Sequence, residues 1–174
     1  MSYLVLAYPT IAVSDFEFIQ SYRKINDPRY FRLVNPHFTL VFPTSDFAED
    51  EFIVETVKRA EGVKRIDFTI RRATVNQDSS GGFYHEFLVP DEGYSDIVKL
   101  HDRLYSGRFL KNLRFDIDFI PHVGIGNCED VLVCKRNVDD LNSRHLLIEG
   151  SIQALHVVKY DGDVIASIKR IELI

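Results

Sequence analysis

The feature that most limits the fold is an order of elements that repeats on the two sides of one loose stretch. Residues 76–82, NQDSSGG, are the one segment dense in small and polar turn formers, and they lie near the midpoint of the 174 residues. Before them, residues 3–8 (YLVLAY) make a short apolar run bounded by Pro9, the pattern of a buried strand. Ser14 with Glu17 three residues later predicts a helix start, because hydroxyl and carboxylate can satisfy each other's free amides. Asp27-Pro28 ends that helix near Asn26. Residues 36–43 (PHFTLVFP) are β-rich between two prolines. Asp46 with Glu49 predicts a second helix that Gly62 ends, and residues 65–75 alternate as a strand.

After the loose stretch the order returns. A strand is expected over 83–89, then a helix over 95–106 with Ile97, Leu100 and Leu104 on one face and Gly107 as its cap. An alternating run over 113–119 continues, extended, through 121–126, and Asn127 predicts the cap of a helix to Leu141. Residues 146–159, a turn at Asp161-Gly162 within YDGD, and residues 164–173 predict a closing hairpin. The expected fold is α+β and bilobal: two pseudo-symmetric lobes, each an antiparallel sheet with flanking helices, around a central groove. The chain is expected to form one bilobal domain with approximate halves 1–78 and 79–174.

Composition removes several function classes. Lys and Arg number 21 against 26 Asp and Glu, a formal charge of −5, so bulk charge does not suit the chain to coating nucleic acid. No run approaches the 18 or so apolar residues of a membrane span, so no membrane partner is expected. Cys128 and Cys134 make no disulfide framework and fit no zinc spacing, which predicts reduced thiols in a cytoplasmic protein. A monomer is expected.

Two of the six histidines share a context. His37 stands in Asn-Pro-His-Phe-Thr-Leu and His122 in Ile-Pro-His-Val-Gly-Ile, 85 residues apart, close to half the chain. Side chains two apart on a strand project from one face, so His37 and Thr39 should point together, away from Phe38, Leu40 and Phe42. His122 and Gly124 should likewise oppose Val123 and Ile125. If the two sheets lie side by side, the imidazoles can face each other across a groove. One neutral and one protonated ring then form a base and acid pair near neutral pH.

This pattern resembles the two-histidine (2H) phosphoesterase superfamily, which includes the 2′-5′ RNA ligase-like proteins and cyclic nucleotide phosphodiesterases. That family carries two His-x-Thr/Ser-x motifs in a bilobal α+β fold. His37 and Thr39 match the first motif, and His122 matches the catalytic position of the second. The resemblance implies a metal-independent phosphodiesterase that needs no cofactor. It would act on a cyclic phosphate or 2′-5′ linkage of a nucleotide or short RNA, with His37 and His122 catalytic and Thr39 and Gly124 at the phosphate. Gly124 departs from the pattern, because a hydroxyl is expected there. That departure keeps open a protein that binds a nucleotide or RNA end with weak or no catalysis.

Between Gln20 and His37, Arg23, Lys24, Arg29 and Arg32 stand against Asp27 alone, with Tyr22, Tyr30 and Phe31 interleaved. Such a cluster can guide an anion and stack a base, which makes Arg29, Tyr30 and Arg32 candidate substrate contacts. A solvated helix end explains it equally well. Arg71 and Arg72 form a weaker second candidate. The other histidines read as packing or surface residues: His101 beside an apolar helix face, His85 and His156 on strands, His145 in a connection. No histidine or cysteine spacing predicts a metal site.

Overall fold

The computed structural model describes residues 1–162 and 164–174; Asp163 of the YDGD turn lies outside the described residues. Within them, nine strands and four helices follow in the order β1 (Ser2–Ala7), β2 (Thr10–Ile11), α1 (Val13–Asn26), β3 (Phe38–Thr44), α2 (Glu49–Ala60), β4 (Ile66–Gln77), β5 (Tyr84–Glu92), α3 (Tyr94–Leu104), a 3-10 helix (Gly107–Asn112), β6 (Val123–Cys128), α4 (Val131–Ser143), β7 (Ile148–Ile152), β8 (Ala154–Tyr160) and β9 (Ile165–Glu172). Two antiparallel sheets result, ordered β3-β1-β8-β9 and β2-β7-β4-β5-β6. The α+β, bilobal class expected from sequence is the one observed.

The sheets are related element by element. In each, the strand that follows a proline-histidine pair (β3 or β6) is the edge, paired to the first strand of its own half (β1 or β5). The third partner comes from the other part of the chain: β8 lies beside β1, and β4 beside β5. The helices also cross over. Helix α1 packs on β6, and α3 packs on β3, where the ring nitrogen Nδ1–H of His101 donates to Leu40 O (3.0 Å) and Phe42 N donates to the Tyr105 hydroxyl (2.8 Å). An edge strand has unpaired backbone groups, and these two bonds use some of them.

One large core joins both sheets, with Phe38 of β3 against Phe68 of β4 at 5.2 Å between rings. A smaller cluster, Leu4, Leu6, Val34 and Val158, lies on the other face of the β1 sheet, where residues of the 28–36 loop cover it. Burial of each such side chain contributes about 1.5–3 kcal/mol. Gly93 opens α3 at φ +80°, and a Cβ there would overlap Asp67 O, so the tight β5–α3 turn needs glycine.

Several local expectations are corrected. Ser14, Asp46 and Asn127 cap no helix: the N-caps are Ala12, Ala48 and Asp130. Glu51 still reaches back to Ala48 N (3.3 Å), and the Asp130 carboxylate accepts Leu132 N (2.8 Å), so the capping chemistry sits two or three residues later than expected for α2 and α4. Residues 113–119 are no strand. Arg114 grips Asp116 two residues on (2.8 and 2.6 Å), which closes a turn with Phe115 exposed. The run 146–159 divides at Gln153 into β7 and β8, which belong to different sheets. Cys128 and Cys134 are joined in a disulfide, not free thiols: the turn between β6 and α4 brings their Cα atoms to 6.1 Å.

Candidate active site at the starts of two edge strands

His37 and His122 each stand one residue before an edge strand, and the chain treats them alike. In both, ring Nδ1 contacts the carbonyl two residues earlier: Asn35 O at 2.7 Å and Ile120 O at 2.6 Å. A carbonyl accepts only, so each Nδ1 carries the proton and each Nε2 keeps a lone pair. Phe38 and Leu40 enter the core behind the first histidine, as do Val123 and Ile125 behind the second.

Thr39 is half-buried on the face of His37. Its cross-strand neighbour is Leu6, whose other neighbour is His156. Tyr8, two residues past Leu6, lies roughly perpendicular to both the His37 and the His156 rings, with ring centroids 6.2 Å and 4.9 Å away. A cavity of about 220 Å³ lined by Tyr8, Arg32, Val34 and Asn35 opens beside His37. A larger hollow, about 500 Å³ between Phe47 and the 3-10 helix, includes no residue of either histidine motif.

On the other sheet His122 stacks face to face on Phe87 at 3.5 Å. Phe83, just before β5, and His85 and Phe87 within it alternate along one face. His85 Nε2 lies 2.9 Å from the Asp78 carboxylate and donates to it, while Tyr30 stacks on the ring at 6.4 Å and Arg29 lies 3.9 Å over the Phe83 ring. Gly124 pairs with Phe87, and a Cβ at Gly124 would meet nothing within 4 Å. The β5–β6 register shifts between that pair and Glu86–Gly126, the bulge that a glycine-rich strand favours. Gly126, not Gly124, is the crowded glycine, since a Cβ there would overlap the Glu86 carboxylate.

Burial draws both imidazoles down to about 4; the hydrogen bonds to Asn35 and Ile120 oppose this, and the charge of His37 adds to the lowering at His122. Between pH 6.5 and 4 the unfolded chain holds protons on the two rings that the folded chain does not. Stability is free of this cost above pH 6.5 and falls as pH drops through the window, by about 1.4 kcal/mol per pH unit for each ring. Replacing both by glutamine is expected to flatten the Tm-against-pH curve there. An equally steep curve would mean that the rings protonate freely in the fold.

The candidate contacts divide. Arg29 and Tyr30 reach the β5 row and Arg32 the cavity by His37. Arg23 is 1% exposed and bound to Asp27, Tyr22 donates to Glu86 (2.6 Å), and Arg71 is held by Asp91 and Glu92, so none of these three is a free contact. The sequence singles out neither Phe87 nor Tyr8 and gives His156 only a place on a strand. The period-two row Phe83, His85, Phe87 was a usable signal; the approach of Tyr8 to two histidines depends on pairing across the sheet. Among the described residues, Glu86, Cys128 and Cys134 form a group of potential metal ligands, but its two sulfurs bond each other.

The fold has known counterparts. TT0787 of Thermus thermophilus superposes with a TM-score of 0.64 at 13% identity, covering 99% of this chain and 98% of that one. E. coli LigT complexed with 3′-AMP gives 0.57 at 13% identity, with 99% and 97% covered. Kluyveromyces marxianus Usb1 with uridine monophosphate gives 0.57 at 11% identity, with 99% and 98% covered. No curated protein matches in sequence. The family pattern of the 2′-5′ RNA ligase superfamily matches residues 11–164, nearly the whole chain including both histidine motifs, and the protein belongs to that superfamily.

Proposed function

We propose that the chain is a phosphodiesterase that hydrolyses a cyclic phosphate or a 2′-5′ linkage of a nucleotide or RNA end, with His37 and His122 as general base and general acid. The observation that carries the reading is the matched pair of rings. Each stands one residue before an edge strand, each has Nδ1 tied to the carbonyl two residues back, and neither Nε2 has a hydrogen-bond partner among the described residues. One neutral Nε2 takes a proton from water as its oxygen bonds to phosphorus. The other ring, protonated, gives its Nε2 proton to the departing oxygen as the old P–O bond breaks. Both rings are neutral at pH 7 without ligand, since each lies near 4. A phosphodiester anion between them favours the imidazolium, so substrate brings the pair to its working protonation state.

Thr39 is the side-chain donor for a non-bridging oxygen, and Gly124 leaves the backbone there. Arg29, Tyr30 and Arg32 supply charge and a stacking face to the rest of the nucleotide. The nucleotides in the LigT and Usb1 structures support a ligand of this class.

A hydrolysis screen over 2′,3′-cyclic nucleotides and 2′-5′ dinucleotides in EDTA, with product position determined, tests the reading. Turnover with a bell-shaped pH dependence is expected, its kcat/KM optimum on the acid side of pH 6.5 because the free rings are acidic. Turnover that needs a divalent ion, or none on any of these substrates, would overturn it.

Gly124 favours a second reading, a nucleotide-binding protein with little catalysis. The open space around Gly124 makes Gly124→Thr a clean comparison, since a Cβ there meets nothing within 4 Å. Under the phosphodiesterase reading the variant gains turnover, on the order of the 10²–10³ that one donor to developing charge can contribute. Nucleotide binding without turnover in either form would establish the second reading.

A further inference from the structure

The loop over 28–36 has no strand ladder to fix it, yet it touches both sheets: Val34 packs on Leu4, Leu6 and Val158, and Tyr30 stacks on His85. It is fastened by one buried ion pair. Arg23 is 1% exposed and Asp27 3%, and their charged atoms are 2.9 Å apart. Arg23 donates through Nε to Asp27, through one terminal nitrogen to Gln20 (2.9 Å), and through the other to Val34 O (2.9 Å). Gln20 in turn reaches the Asn35 side chain (3.4 Å), and Asn35 O orients His37. The second Asp27 oxygen accepts Tyr30 N (3.1 Å) and, from β6, the Asn127 amide (2.6 Å). His122 begins that same β6. One ion pair is thus bonded on one side to the segment leading into His37 and on the other to the strand that follows His122.

We propose that the Arg23–Asp27 pair is a positioning element that sets the placement of the two imidazoles relative to each other. The pair touches neither the ligand space nor the rings. The proposal rests on the acid–base reading of His37 and His122 only for its kinetic consequence. Ion pairs of this burial add little net stability over apolar side chains of similar size, because desolvation offsets most of the attraction. What apolar groups cannot reproduce is the four directed bonds to Val34, Tyr30, Gln20 and Asn127. Catalysis by two groups on one phosphorus is sensitive to such placement, since a shift of about 1 Å can cost roughly 10²-fold. The charged groups that act on His37 are Arg23 and Asp27, of opposite effect; those that act on His122 are His37 and His85.

The test replaces the pair by apolar residues, Arg23→Met with Asp27→Val, which keeps the combined volume close to that of the pair and leaves no charge buried alone. Thermal unfolding, ¹⁵N NMR titration of the histidine rings, and steady-state kinetics are compared with the native chain. The expected result is a folded variant of lower Tm, because Val34 O, Tyr30 N and the Asn127 amide lose their partners, in which His37 loses its single Nδ1–H tautomer and titrates closer to 6.5. Its kcat is expected to fall about 10–100-fold, with KM within about threefold. A folded variant with ring tautomers, titrations and kcat all unchanged would overturn the proposal and leave the pair a packing feature. If the double variant does not fold, Asn127→Ala decides, because it keeps the ion pair and cuts only the bond to β6. Altered His122 titration supports the proposal, and unaltered His37 and His122 titrations reject it. If the native chain shows no turnover, the acid–base reading fails, and the NMR comparison still decides the positioning role.

Discussion

His37→Ala and His122→Ala are each expected to lower turnover by about 10²–10⁴, the range for loss of a general acid or base. The effect should lie in kcat rather than KM, because each ring acts on a proton in flight and the nucleotide is held by other groups. Both rings are packed among neighbours yet keep some solvent exposure, and each mutation frees one carbonyl that water can reach, so folding should survive. The double variant should fall little below the single ones, since two groups that act on one phosphorus work as a unit. Each single variant should also lose one limb of the bell-shaped pH profile. Steady-state kinetics on the best substrate of the chelated screen provide the measurement. Turnover that persists unchanged in either variant ends the two-histidine mechanism.

The largest stability effect is expected from Asp27→Ala alone. It strands the Arg23 guanidinium in a site 1% exposed and takes the acceptor from Tyr30 N and the Asn127 amide. Breaking a buried pair in this way costs about 3–5 kcal/mol, a large share of a total near 5–15 kcal/mol. Urea unfolding at pH 7 reads it as a lower midpoint. Removing Arg114, whose partner Asp116 is exposed, should cost about 0–1 kcal/mol by contrast. A loss below about 1 kcal/mol for Asp27→Ala would mean that water enters and screens Arg23 as it does a surface group.

What the sequence made legible was periodic and local. The period-two runs after Pro36 and Pro121 located β3 and β6, put Phe38, Leu40, Val123 and Ile125 in the core, and set His37 with Thr39 on the opposite face. The repeat of element order told of two related sheets. It did not tell that β8 would join β1 and β4 would join β5, because strand pairing over such separations leaves no local mark. Cap residues misled three times: Ser14 lies inside its helix, Asp46 precedes its helix and accepts from Asn112, and Asn127 bonds Asp27 across the fold. Arg23 reads in the sequence as one of four basic residues standing against Asp27, although their i,i+4 spacing on a helix allows a pair. The alternation over 113–119 was real, yet an alternating segment with no neighbouring strand to bond folds into a turn instead.

The exchange of strands and helices between the two parts of the chain bears on how such a protein can be divided or inherited. Cut within the 78–82 turn, the first piece would keep β1 and β3 but lose β8 and β9, and the second would keep β5 and β6 but lose β4 and β2. Each piece would also lose the helix that braces its histidine strand, α3 for β3 and α1 for β6. Neither fragment contains one complete sheet, so neither half of the chain is a detachable module. Each half depends on the other for its sheet, and a substitution in α1 is felt at both histidines, at His37 through Arg23 and the 28–36 loop and at His122 through β6.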